Sequence, residues 1–177
     1  MKFIKGLIPY LVIIVVVVVI RTFIATPVRV DGRSMVPTLN NGDILILNKL
    51  ARNYKRFDIV VVEINQKYYK NGKMETRKTK LVKRIIGLPG ENIEYKDNEL
   101  YINGKVVKDV TPEETEDFSL EELYGITKIP KDYYFVMGDN RDGSSDSRDY
   151  HIGLIKKENI LGETIFRIWP LNKIKSL

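Results

Sequence analysis

A hydroxyl held between a glycine and a proline stands at Gly32-Arg33-Ser34-Met35-Val36-Pro37-Thr38-Leu39. Taken alone, Ser34 is an ordinary turn serine. It becomes a nucleophile only with a base, a group that orients that base and an oxyanion donor. A base is offered by Leu81-Val82-Lys83-Arg84-Ile85-Ile86. Strand side chains alternate, so Leu81, Lys83 and Ile85 share one face while Val82, Arg84 and Ile86 share the other. A free lysine titrates near 10.4, and only about one in 2,500 is neutral at pH 7. Burial among aliphatic groups disfavours the ammonium, and a pKa lowered by about 3 makes the amine a competent general base. The same Lys83 also reads as a lysine snorkelling at a strand edge.

Gly138-Asp139-Asn140-Arg141-Asp142-Gly143-Ser144-Ser145-Asp146-Ser147-Arg148 follows a strand-like segment and reads at first as a plain exposed loop. Asp139 to Gly143 echoes a calcium loop, but the spacing is wrong and no glutamate closes it. With no cysteine in the chain, disulfides, thiolate catalysis and Cys-based zinc sites are excluded. One histidine, His151, leaves little room for a His-ligated metal and is expected to be a bystander. Neither metal nor cofactor is expected.

The elements that must position these groups come next. Gly6 to Ile24 gives nineteen largely apolar positions, close to the roughly 20 a helix needs to cross a bilayer. A cleaved signal peptide is the rival reading, with Lys2 and Lys5 as its basic end, but Phe23-Ile24-Ala25 lacks the small residue its cleavage site requires. A retained anchor at 7–24 is therefore expected, with 1–6 cytoplasmic and 25–177 a domain on the other side of the membrane.

From Val28 onward the pattern is mainly β. Ile44 to Leu47 and Ile59 to Val62 are short apolar runs bounded by turn residues. Asn71-Gly72 and Asn103-Gly104 mark hairpins. Tyr133 to Met137 and Thr164 to Trp169 complete the strands. The net charge of +6 suits anionic lipid or nucleic acid equally. Lys67 to Arg84 holds eight basic residues against Glu75 alone, with only Tyr68 and Tyr69 near for stacking. That favours a hairpin facing an anionic bilayer and argues against nucleic acid. Asp109 to Glu122 is acidic and reads as an exposed loop or short helix.

Together these boxes, in this order behind one apolar segment, resemble the bacterial type I signal peptidases, the short Gram-positive-type, membrane-anchored Ser-Lys endopeptidases. Ser34 to Leu39 is similar to the nucleophile box, Gly42-Asp43-Ile44-Leu45 to the strand after it, Lys83 to Glu91 to the general-base box, and Gly138 to Arg148 to the box carrying an active-site serine. The resemblance reaches Trp169-Pro170. It implies an antiparallel β-sheet, barrel-like catalytic domain behind one transmembrane helix, and cleavage of exported preproteins after a small-x-small motif. Ser34 would be the nucleophile and Lys83 the base, with Ser144 orienting the amine. Asp139 would pair with Arg84 and Asp146 with Arg148 as supports. Gly32 stands where some members carry a second oxyanion hydroxyl, so the backbone N–H of Ser34 is the expected donor. Val28, Val30, Met35, Leu81 and Val82 are the candidate walls of the substrate pocket.

Two other classes remain. A self-cleaving repressor-type Ser-Lys protein would carry a DNA-binding helix-turn-helix in place of the apolar segment. A membrane-tethered β module would bind partners without catalysis. Oligomeric state is not legible.

Overall fold

The computed structural model describes residues 2–70 and 72–177. Met1 and Asn71, the latter half of one hairpin signal, lie outside them. The apolar N-terminus forms α1 (Lys2–Val19), which passes into a π-helical turn at Ile20–Ile24. Residues 8–24 are exposed. Among the described residues, no helix is long and apolar enough to cross a membrane. Lys49 Nζ donates to the carbonyls of Arg21 and Thr22 at 2.9 and 3.2 Å, satisfying acceptors that a helix end leaves open.

Strand β1 (Ala25–Arg29) follows without a break and pairs with β2 (Ile44–Asn48), Ala25 opposite Asn48. The Gly32–Leu39 loop lies between them. Then come β3 (Ile59–Lys70) and β4 (Lys73–Gly87), a long hairpin in which Lys70 faces Lys73. Its base is buried from Ile59 to Val62 and from Lys83 to Gly87, while its basic outer arm is exposed.

A small sheet is inserted next, from β5 (Ile93–Lys96), β6 (Glu99–Ile102), β7 (Lys105–Val107) and β8 (Phe118–Ser119). Asn103-Gly104 makes the β6–β7 turn with φ of 51° and 74°. Asp97-Asn98 makes the β5–β6 turn in the same left-handed region without a glycine, at 51° and 62°. Helix α2 (Leu120–Tyr124) starts on a capping box between Ser119 and Glu122. The chain then returns to the main sheet as β9 (Tyr133–Met137), β10 (Ile155–Lys156), β11 (Ile160–Trp169) and β12 (Lys175–Ser176).

All recorded pairings are antiparallel. The main sheet runs β1-β2-β11-β3-β4-β9-β10 with β12 on β11, and the small one β7-β6-β5-β8. Alternation on β4 and β9 sends Ile85 and Val136 into one core with Val60, and Ile86 and Phe135 into another with Tyr95 and Phe118. A third cluster, with Met35, Leu39, Leu45 and Ile59, lies under the Ser34 loop. Met35 is 1 % exposed. Burying such a side chain stabilises by about 2 kcal/mol, which seats the loop on the sheet.

Candidate active site

The loop after β1 is fixed from both ends. Gly32 adopts φ of 95°, a region open to glycine, and its N–H donates to Asn41 Oδ1 at 3.0 Å. Leu39 N–H donates to the Met35 carbonyl at 2.7 Å. Between these, Ser34 is half-buried. Its N–H donates no hydrogen bond among the described residues, which leaves it free for an oxyanion. The Ser34 carbonyl accepts from Asn140 N–H at 3.1 Å, and Asn140 Nδ2 donates to the Arg33 carbonyl at 3.2 Å. The Ser34 loop and the loop after β9 are thus clasped together.

Lys83 is 2 % exposed, so the snorkelling alternative fails. Its Nζ donates to Ser144 Oγ at 2.9 Å, and Ser144 donates in turn to Asp146 Oδ2 at 2.7 Å. Burial draws the Lys83 amine from 10.5 down to about 8; Asp146 and Asp139 push back upward while Arg148 adds to the fall. Asp146 is fully buried, which alone would raise its pKa. Bonds from Arg148, Gly138 N–H and Ser144 prevail and hold it below the usual carboxylate range.

No direct hydrogen bond joins Ser34 Oγ to Lys83 Nζ among the described residues. Gly138 links their surroundings. A Cβ there would stand within 3.0 Å of both the Ser34 carbonyl oxygen and Ser144 Oγ, so only glycine lets the two loops approach this closely.

Arg84 and Asp139 form a two-pronged buried pair, Nε to Oδ1 at 2.8 Å and Nη2 to Oδ2 at 2.6 Å. Arg84 Nη1 also donates to the Phe57 carbonyl at 2.7 Å. Lys83 and Arg84 leave opposite faces of β4, yet both end on the loop after β9. That loop is not the plain exposed segment its composition suggests. Asp139, Arg141, Asp146 and Ser147 are buried, because its charges are spent on ion pairs and backbone bonds rather than on water.

One member of the site has no counterpart among the sequence expectations. Arg141 is 1 % exposed and reaches out of the loop to the small sheet. It pairs with Asp109 at 2.6 Å and donates to Tyr95 Oη at 2.6 Å and Thr115 Oγ1 at 2.8 Å. Asp109, expected in an exposed acidic stretch, is instead half-buried against this guanidinium. The remaining acidic side chains of the stretch are exposed, in the connection before β8 and at the start of α2.

A cleft of about 240 Å³ opens beside Ser34. Val28, Val30, Met35, Leu81 and Val82 all line it, with Arg29, Asp31 and Lys80 at its charged margin. Lys83 does not line it. His151 is exposed and stacks on Tyr150 at 3.9 Å between ring centroids. Among the described residues, no three His, Cys, Asp or Glu side chains gather as a metal site would need. A buried, partly neutralised amine beside a hydroxyl-bearing loop and a small apolar cleft can deprotonate an alcohol for attack on an extended chain.

Comparison with known proteins identifies relatives along most of the chain. The chain is 40% identical over 178 residues to a signal peptidase I of Bacillus caldolyticus, covering 93% of this chain and 91% of that protein. It is 42% identical to signal peptidase I T of Bacillus subtilis strain 168, over 92% of this chain and 83% of the relative. A crystal structure of a signal peptidase I from Enterococcus faecalis V583 superposes with a TM-score of 0.50 at 33% identity, covering 63% of this chain and 96% of that one. The family described as signal peptidase, peptidase S26, matches residues 3–169, and this chain belongs to it.

Proposed function

We propose that the chain acts as a signal peptidase I, a serine endopeptidase that removes signal peptides from exported preproteins through Ser34 and Lys83. The observation that carries the assignment of residues is the buried amine of Lys83, held 2.9 Å from Ser144 and lowered to about 8. The neutral amine takes the Ser34 proton, and the Ser34 oxygen attacks the scissile carbonyl. The oxyanion that forms is met by the free N–H of Ser34. The ammonium then protonates the departing amine, leaving an acyl-enzyme on Ser34. Lys83, neutral again, activates the water that releases the acyl group.

The substrate lies extended against open strand edges. Among the described residues, β1 pairs only with β2, and β9 covers β4 only from Arg84 to Gly87, so both strands have free edge beside the cleft. The shallow walls from Val28, Val30, Met35, Leu81 and Val82 accept small side chains. Among the described residues, no single helix is long and apolar enough to cross a membrane, but α1 runs on through the π-helical turn to Ile24. On this reading the joined apolar run holds the enzyme in the cell membrane, with residues 1–6 cytoplasmic and 25–177 extracytoplasmic.

Cleavage of a preprotein with a small-x-small site tests the assignment. Ser34→Ala and Lys83→Met are each expected to lower the rate by about 10⁴-fold or more while the β-sheet circular dichroism is kept. Near-normal turnover in either variant sinks the dyad.

A further inference from the structure

A second cavity, of about 910 Å³, opens where the apolar helix meets the main sheet and shares no residue with the cleft beside Ser34. Its wall includes five cationic side chains, Lys49, Arg52, Lys131, Lys156 and Lys157, against only Asp132 and Glu158. Much of that charge is already committed. Lys49 caps the end of the helical run, Arg52 Nη1 donates to the carbonyls of Lys49 and Ala51, and Lys156 pairs with Glu158 at 3.4 Å. Lys131 and Lys157 enter no ion pair among the described residues. They are brought to one wall because Lys157 N–H donates to the Asp132 carbonyl at 2.7 Å, tying the start of β9 to the segment after β10.

Thr22 and Phe23 also line it, and Phe23 is 64 % exposed at the end of the apolar run. Lined both by cations and by the end of that run, the cavity has the volume of a small-molecule site. A soluble anion would satisfy only the cations. We propose that this cavity seats the headgroup phosphate of one anionic phospholipid, with Lys131 and Lys157 as its ligands and Phe23 beside the start of the acyl chains. The inference rests on the reading of the N-terminal run as a membrane anchor. Charge admits either anion; the position at the end of the apolar run and the apolar lining select a lipid over a free phosphate.

The test uses the full chain in detergent micelles, with lipid retention read by native mass spectrometry. One phosphatidylglycerol is expected to remain bound, with phosphatidylcholine held far less. Lys131→Gln/Lys157→Gln should lower phosphatidylglycerol retention about tenfold or more, since each cation near an anionic headgroup is worth several-fold. Removing the same charge on the small sheet, Lys105→Gln/Lys108→Gln, should change nothing, and excess inorganic phosphate should not displace the lipid. Equal retention of the two lipids, equal loss in both double variants, or full displacement by phosphate overturns the proposal. Flotation of the wild-type chain with neutral vesicles separates the two readings. No flotation sinks the anchor itself, whereas flotation without a phosphatidylglycerol preference sinks only the headgroup site.

Discussion

Lys83 and Asp146 are both buried and form no ion pair, because the Ser144 hydroxyl stands between them, 2.9 Å from the amine and 2.7 Å from the carboxylate. Direct contact would hold the lysine as an ammonium, the form that cannot take a proton. The interposed hydroxyl passes on the orienting effect of the carboxylate while burial keeps the amine easy to neutralise.

The pH dependence follows from that arrangement. With Lys83 at about 8, roughly one amine in ten is neutral at pH 7, so kcat/KM should climb with pH and level off above about 8. A profile measured on a small-x-small peptide checks this. A midpoint far below 8 would contradict Lys83 as the base.

Stability should move the same way. The folded pKa of Lys83 lies below its unfolded value, so the unfolded chain binds more protons between about 8 and 10.5, and the fold gains stability as pH rises through that window. Below it the buried ammonium costs about 3 kcal/mol. Lys83→Met should therefore be more stable than wild type at pH 7 by about 2–3 kcal/mol in urea unfolding, although inactive. A destabilised variant would contradict the stated burial penalty.

Ser144→Ala leaves Lys83 in place but removes its acceptor. We expect kcat to fall by about 10²-fold with KM little changed, the signature of a group that positions the base. A change confined to KM would place Ser144 in substrate binding.

Gly138→Ala puts a methyl where the Ser34 carbonyl and Ser144 already meet. The loops must part, with about 1–3 kcal/mol of lost stability and a fall in activity larger than that loss explains. Wild-type cleavage in this variant would show that the contact has no bearing on the chemistry.

Asp139→Asn takes one charge from a buried pair and leaves the Arg84 guanidinium uncompensated. Breaking such a pair costs about 3–5 kcal/mol, which thermal or denaturant unfolding would register. A loss below about 1 kcal/mol would mean that the Phe57 carbonyl alone satisfies Arg84.

Much of this site is legible because its parts have local signals. The alternation of Leu81, Lys83 and Ile85 forecasts a lysine among aliphatic groups, and Asn103-Gly104 forecasts its turn. The five expected pocket residues all line one cleft; Val28, Val30 and Met35 lie close to Ser34 along the chain, whereas Leu81 and Val82, from opposite faces of β4, reach it only through the fold. Arg141 with Asp109 is different. The partners lie far apart in sequence, one in a loop rich in charges and the other in an acidic run, and nothing in either segment marks them as buried. Asp97-Asn98 also hides its turn, since neither residue is a glycine. The burial of Asp139, Arg141, Asp146 and Ser147 escapes composition for the same reason: charges that neutralise each other at a distance look, one by one, like solvated charges.

Strand β1 has a geometric consequence. Its five residues measure about 16 Å, and they run from the end of the apolar helix almost to the cutting loop. On the proposed reading, in which the apolar run is the anchor, the strand would act as a caliper that sets the Ser34 loop at a fixed height above the lipid. A preprotein whose scissile bond emerged much higher or lower than that setting would then stay uncut, however small its flanking side chains.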